Sequence, residues 1–84
     1  MINFTYTLNK TITGRIASQL TWDLNNINGN VRIINAEGRM VNGKSLLGLL
    51  SASLKEKDTI KIMIDKPEEE GLIKSIFNKL GTIK

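Results

Sequence analysis

The chain has 84 residues and a net charge of +4, from 12 lysine and arginine residues against 8 aspartate and glutamate residues. It contains neither cysteine nor histidine. Disulfides, thiolate metal sites, histidine ligands, histidine general bases and phosphohistidine chemistry are therefore outside its means.

Ile2, Phe4, Tyr6 and Leu8 alternate with Asn3, Thr5 and Thr7. That period of two, rich in threonine and aromatics, predicts a half-buried strand. A polar link from Asn9 to Thr13 follows. From about Gly14 the period changes: Ile16, Leu20, Leu24 and Ile27 fall at spacings of four, four and three, with Ala17 beside them. This predicts an amphipathic helix with one apolar stripe, stopped by Asn28 and Gly29, with the glycine in the left-handed C-terminal position. Trp22 lies off the stripe, nearly opposite Leu20 at roughly 100° per residue.

Val31 to Ile34 reads as a second strand, Asn35 to Gly38 as a turn, and Arg39 to Val41 as the returning strand of a hairpin. Asn42, Gly43 and Lys44 lead into Ser45, a preferred N-cap residue. Leu46, Leu47, Gly48, Leu49 and Leu50 predict a short helix. Its four leucines spread over about 160°, wider than the roughly 100° stripe that one core contact needs. Leu49 can then face the core while Leu47 and Leu50 stay partly exposed, forming an apolar patch beside Ser45; a small, wholly buried helix is the other reading.

Thr59 to Ile64 alternates Ile60, Ile62 and Ile64 with Lys61 and Met63, a fourth strand. Asp65, Lys66 and Pro67 open the last helix, where proline is tolerated in the first turn. Glu68, Glu69 and Glu70 sit where the helix dipole favours negative charge. Leu72, Ile73, Ile76, Phe77 and Leu80 form its apolar face, and Gly81 ends it. The order βαββαβα in a single domain over residues 1–84 predicts an α+β fold. It is an open-faced two-layer sandwich, with a four-stranded, mostly antiparallel sheet and three helices on one face.

The first ten residues lack the basic start and long apolar run of a signal peptide, and no apolar stretch is long enough for a bilayer. A cytoplasmic chain without a membrane partner is the expectation. The positive residues are dispersed among acidic ones, and the strands carry no aromatic pair of the kind that stacks bases. No direct nucleic-acid contact is therefore expected. With no histidine or cysteine and no acid–base constellation, the sequence predicts no enzyme, no cofactor and no metal site.

Two segments carry a family resemblance. Thr11-Ile12-Thr13-Gly14-Arg15-Ile16-Ala17 resembles the active-site segment of the bacterial phosphocarrier HPr family: Gly, Leu or Ile, His, Ala, Arg, Pro, Ala. Asn42-Gly43-Lys44-Ser45-Leu46-Leu47-Gly48-Leu49-Leu50 resembles the family's regulatory segment almost letter for letter. In the first segment Thr13 stands where the family places its phosphorylated histidine, Ile16 replaces the proline, Gly14 the alanine and Thr11 the glycine, while Arg15 matches. A threonine hydroxyl makes a stable ester rather than a transferable phosphoramidate, so Thr13 is no phosphoryl relay. It is read instead as a helix-capping residue, with Arg15 either an anion-binding or a solvated arginine.

The resemblance is nearest to the catabolite-repression branch of the family, which has glutamine at the histidine position and keeps the serine. It implies a regulatory protein phosphorylated at Ser45 by an HPr-type serine kinase/phosphorylase. It further implies a partner such as a LacI-type catabolite control transcription factor, bound through Leu46, Leu47, Leu50 and Trp22, the tryptophan being either an interface anchor or a lone exposed aromatic. A constitutive scaffold of the same fold, never phosphorylated, is the alternative. Phosphoserine carries about −1.5 to −2 charges and at a helix start would stay compatible with the fold.

Overall fold

The computed structural model describes residues 2–83. Four strands, β1 (Ile2–Thr7), β2 (Val31–Ile34), β3 (Met40–Asn42) and β4 (Thr59–Ile64), form one sheet in the order β1-β4-β2-β3. Every neighbouring pair is antiparallel, so the sheet goes beyond the expected mostly antiparallel arrangement. The helices are α1 (Gly14–Leu24), α2 (Leu46–Ser51) and α3 (Glu70–Lys79), with a 3-10 turn over Pro67–Glu69 before α3.

The period-two pattern decides which face of the sheet the helices cover. Val31, Ile33, Ile60, Ile62 and Ile64 are buried on one face, while Asn3, Thr5, Thr7, Arg32 and Lys61 remain exposed on the other. Register keeps these sets together: Phe4 pairs with Ile62, and Ile62 with Ile33. Against that apolar face lie Ala17, Leu20 and Leu24 of α1, Leu49 of α2, and Ile73 and Phe77 of α3. Full burial of one such leucine or isoleucine is worth about 1.5–3 kcal/mol. Tyr6 bridges β1 to α3, its ring 6.1 Å from Phe77 and 5.3 Å edge-on from Phe4. Burial, followed by the charge of Glu70, raises the pKa of its hydroxyl above the usual tyrosine value.

Several expected boundaries are corrected. The first helix ends at Leu24, not at Ile27. Ile27 is still buried, because the turn after the helix, with Ile27 N–H donating to Leu24 carbonyl at 3.0 Å, folds it back onto the core. Gly29 does not take the left-handed conformation; among the described glycines only Gly38 and Gly81 have positive φ. Gly29 is needed for space instead, since a Cβ there would collide with Asp65 Oδ1 and lie 2.9 Å from Glu69 Oε1.

The last helix also differs. Glu69 lies in the first turn, as the sequence predicts, and is also buried there, while Leu72 is 58% exposed rather than part of the apolar face. Ile73 and Phe77, four apart, centre that face, and Leu72 is rotated about 100° from Ile73. Gly81 does end the helix, with φ of +67°. Its N–H donates to Asn78 carbonyl at 2.9 Å, and Thr82 Oγ1 donates to Phe77 carbonyl at 2.7 Å.

Candidate functional site at the start of α2

Thr13 is the N-cap of α1, in extended conformation, and Ala17 N–H donates to its carbonyl at 2.8 Å. Its side chain accepts no capping hydrogen bond, so only the backbone part of the expected capping role is present. The preceding Ile12 fixes the segment: it is buried, and its N–H donates to Leu54 carbonyl at 2.9 Å. Arg15 is exposed one residue into α1 and lines a shallow cleft of about 350 Å³ with Ile16, Gln19, Lys79 and Leu80.

Ser45 is half-buried at the N-cap of α2, in extended conformation with φ −108° and ψ 118°. Its hydroxyl accepts from Gly48 N–H at 3.0 Å, and its carbonyl accepts from Leu49 N–H at 3.0 Å. The glycine is a fit to this cap, because a Cβ at position 48 would stand 3.3 Å from both Cβ and Oγ of Ser45. The four leucines divide as the wide apolar arc predicts. Leu49 is 1% exposed, whereas Leu46 is 40%, Leu47 79% and Leu50 43% exposed. The wholly buried helix is ruled out.

Trp22 is 73% exposed on the crest of α1. One turn further on, Asn25 Nδ2 donates to Lys44 carbonyl at 3.2 Å, which fixes the Ser45 turn beside the C-terminal end of α1. Trp22, Ser45 and the exposed leucines therefore share one region of the helical layer. Thr13 and Arg15 lie at the other end of α1, a helix of 11 residues spanning about 16 Å at roughly 1.5 Å per residue. The two family-like segments are thus separate sites on one helix.

Sequence reasoning missed the carboxylates that tie α3 to the loop after α1. Glu69 Oε2 and Oε1 accept from the N–H groups of Asn28 and Gly29, both at 2.9 Å. Asp65 Oδ1 accepts from Asn30 N–H at 2.8 Å and Oδ2 from Asn30 Nδ2 at 3.0 Å. The Asn30 N–H, foremost, holds the Asp65 pKa below the usual aspartate value. The only sequence signal was an acidic residue pair near a glycine-containing loop far away in the chain. A second cleft of about 360 Å³ lies between α1 and α3 over Ile27, Leu72 and Ile76, crossed by an ion pair between Lys79 and Asp23 at 3.2 Å. Among the described residues no helix is long and apolar enough to cross a membrane.

This arrangement, an antiparallel sheet with three helices on one face, defines the phosphocarrier-type open-faced sandwich. The chain belongs to the HPr family: the family model for the PTS HPr component phosphorylation site matches residues 2–80. Solved structures with the same fold include the histidine-containing phosphocarrier protein of a mycoplasma. It is 22% identical, with a TM-score of 0.86 over 99% of both chains. HPr-C-His from Thermoanaerobacter tengcongensis is 18% identical, with a TM-score of 0.81 over 96% of this chain and 92% of that one. The phosphocarrier protein HPr of Bacillus anthracis is 19% identical, with a TM-score of 0.77 over 89% and 90%. A search of curated proteins found no significant match.

Proposed function

We propose that this chain is a regulatory HPr-like protein, not a histidine phosphocarrier, and that it is controlled by phosphorylation of Ser45. The observation that carries the reading is the start of α2: Ser45 caps a helix whose leucines at positions 46, 47 and 50 face solvent. Exposed apolar area grouped around a modifiable polar residue is how a conditional docking surface is built. At the other end of α1 the family's phosphoryl-carrying position holds Thr13, in a chain without histidine. A threonine ester is too stable to pass a phosphoryl group on, so the relay chemistry has no residue to run on.

The modifying enzyme in this reading is an HPr-type serine kinase/phosphorylase, acting in carbon catabolite regulation. The partner surface comprises Ser45, Leu46, Leu47, Leu50 and Trp22, and the partner class is a LacI-type catabolite control transcription factor. Arg15 contributes an exposed positive charge near the start of α1. The protein acts by binding rather than by catalysis, and its place of action is the cytoplasm.

Tandem mass spectrometry after incubation with ATP and the serine kinase of the same host tests the proposal. Phosphate at Ser45 is the expected result. An unmodified Ser45 beside an authentic HPr modified in parallel would overturn it and leave a constitutive scaffold. Ser45→Ala should abolish both the modification and phosphate-dependent binding.

A further inference from the structure

Lys44 is fastened to the end of α1 at two points. Its ammonium donates to the carbonyl of Ile27, and its own carbonyl accepts from Asn25 Nδ2. Its backbone N–H donates to Asn42 Oδ1 at 2.9 Å, in the same turn where Ser45 N–H donates to Asn42 carbonyl at 3.0 Å. α1 has no basic side chain in its last turn. Lys44 brings from another element a cation to the turn that follows α1, where it meets the Ile27 carbonyl.

The peptide unit that receives this ammonium is held from both sides. The oxygen belongs to Ile27 and takes the Lys44 ammonium, while the nitrogen belongs to Asn28 and donates to Glu69 Oε2 at 2.9 Å. One peptide is thus polarised between a cation and a carboxylate. The cation stands one residue from Ser45 and the carboxylate stands at the start of α3. The Lys44 side chain thus links the residue next to Ser45 to the peptide that Glu69 holds.

We propose that Lys44 is a switching residue. When Ser45 carries a phosphate, the ammonium leaves the Ile27 carbonyl for the phosphate, and the α1–β2 loop loses the cationic half of its clamp. This rests on the reading of Ser45 as a modified residue. The chemistry favours the transfer: the ammonium exchanges a neutral carbonyl for a group of about −1.5 to −2 charges on the adjacent residue. Hydrogen bonds with both partners ionised are the stronger class. The vacated carbonyl turns to water, and residues 27–30 become a surface that differs between the two states of Ser45. Asp65 and Glu69 keep the loop attached, so the change is local rather than an unfolding.

The test places phosphoserine at position 45 by genetic encoding, so no kinase is involved and failure of the kinase reading leaves this result untouched. The Ile27 carbonyl and Asn28 amide NMR signals are compared in four proteins: unmodified, phosphoserine-45, Lys44→Met, and Lys44→Met with phosphoserine-45. The phosphate should move both signals to the positions they take in Lys44→Met, and should not move them further when methionine is already present. Signals unmoved by the phosphate, or moved equally without the lysine, overturn the proposal. A readout that needs no substitution is the Lys44 side chain itself. Its Cε and Nζ signals should shift on phosphorylation, and their constancy would also overturn the proposal.

Discussion

Glu69 and Gly29 are 40 residues apart in sequence and joined at 2.9 Å, with the Gly29 N–H donating to the buried carboxylate. The other carboxylate oxygen takes the N–H of Asn28, so one side chain satisfies two neighbouring donors that the loop could not pair locally. Glu69→Gln replaces one acceptor oxygen with an NH₂ group that faces a donor. The cost should be about 1–3 kcal/mol, the penalty of leaving a buried polar group unsatisfied. Urea unfolding measures it, and Glu68→Gln, at an exposed neighbour, should stay within about 0.5 kcal/mol of the parent. Equal effects of the two would show that the buried contact contributes nothing.

Glycines in this chain divide by what a methyl group would meet. Gly29→Ala forces a Cβ against Asp65 Oδ1 and Glu69 Oε1 and should destabilise by about 1–3 kcal/mol, the usual cost of overpacking. Gly71→Ala places a methyl group in open space on an exposed part of α3, and should stabilise by up to about 1 kcal/mol through helix propensity. Thermal or urea unfolding of both variants checks the opposite signs. A destabilised Gly71→Ala would show that α3 needs the glycine for something other than shape.

The leucines of α2 should separate stability from binding. Leu49→Ala removes a buried side chain and should cost about 2–5 kcal/mol. Leu47→Ala, at a side chain 79% exposed, should change stability by less than about 0.5 kcal/mol while weakening the phosphate-dependent complex several-fold. Calorimetric titration with the partner and parallel unfolding curves make the comparison. Undiminished binding by Leu47→Ala would remove that leucine from the partner surface.

Position 13 makes a further expectation. Incubation with phosphoenolpyruvate and enzyme I of the sugar phosphotransferase system should add no phosphate to the intact protein. Mass measurement under neutral conditions, with an authentic HPr alongside, detects any adduct. An acid-labile phosphate on this chain would contradict the proposed loss of carrier chemistry.

Acid should act on the α1–β2 loop through Asp65. Its pKa is lowered in the fold, chiefly by the Asn30 N–H. A depressed carboxylate stabilises the folded state fully above its unfolded value of about 3.9, and that contribution disappears as pH falls through the lower folded value. The Asn30 amide signal should report this titration below the ordinary aspartate range, and Asp65→Asn should abolish the dependence. An Asn30 signal that titrates at the ordinary aspartate value, or not at all, would contradict the contact.

Periodicity made most of the fold legible. The alternation of Ile2, Phe4 and Tyr6, and of Ile60, Ile62 and Ile64, assigned both strands and their buried face, because side chains of a strand alternate by geometry. The stripe of Leu20 and Leu24, and the off-stripe place of Trp22, followed from the helical repeat in the same way. The wide leucine arc after Ser45 left two readings open, and the fold took the one with an exposed Leu47 beside a buried Leu49. Helix ends were less legible: Ile27 satisfied the helical spacing, yet the backbone had already turned at Asn25.

The sequence by itself determined the class of fold, the absence of any histidine and the cap at Ser45, since each depends on residue type and on neighbours a few positions away. Only the tertiary structure decided that Glu69 is buried, that Gly29 gives way to two carboxylates, and that Lys44 reaches the Ile27 carbonyl. Those contacts join α3 to the α1–β2 loop and the Ser45 turn to the end of α1. Periodicity says which face of an element is apolar, but it is silent on which distant polar group will pair with which backbone donor. That pairing is set by how the helices settle on the sheet, where each buried donor must find an acceptor or lose the free energy of its hydration.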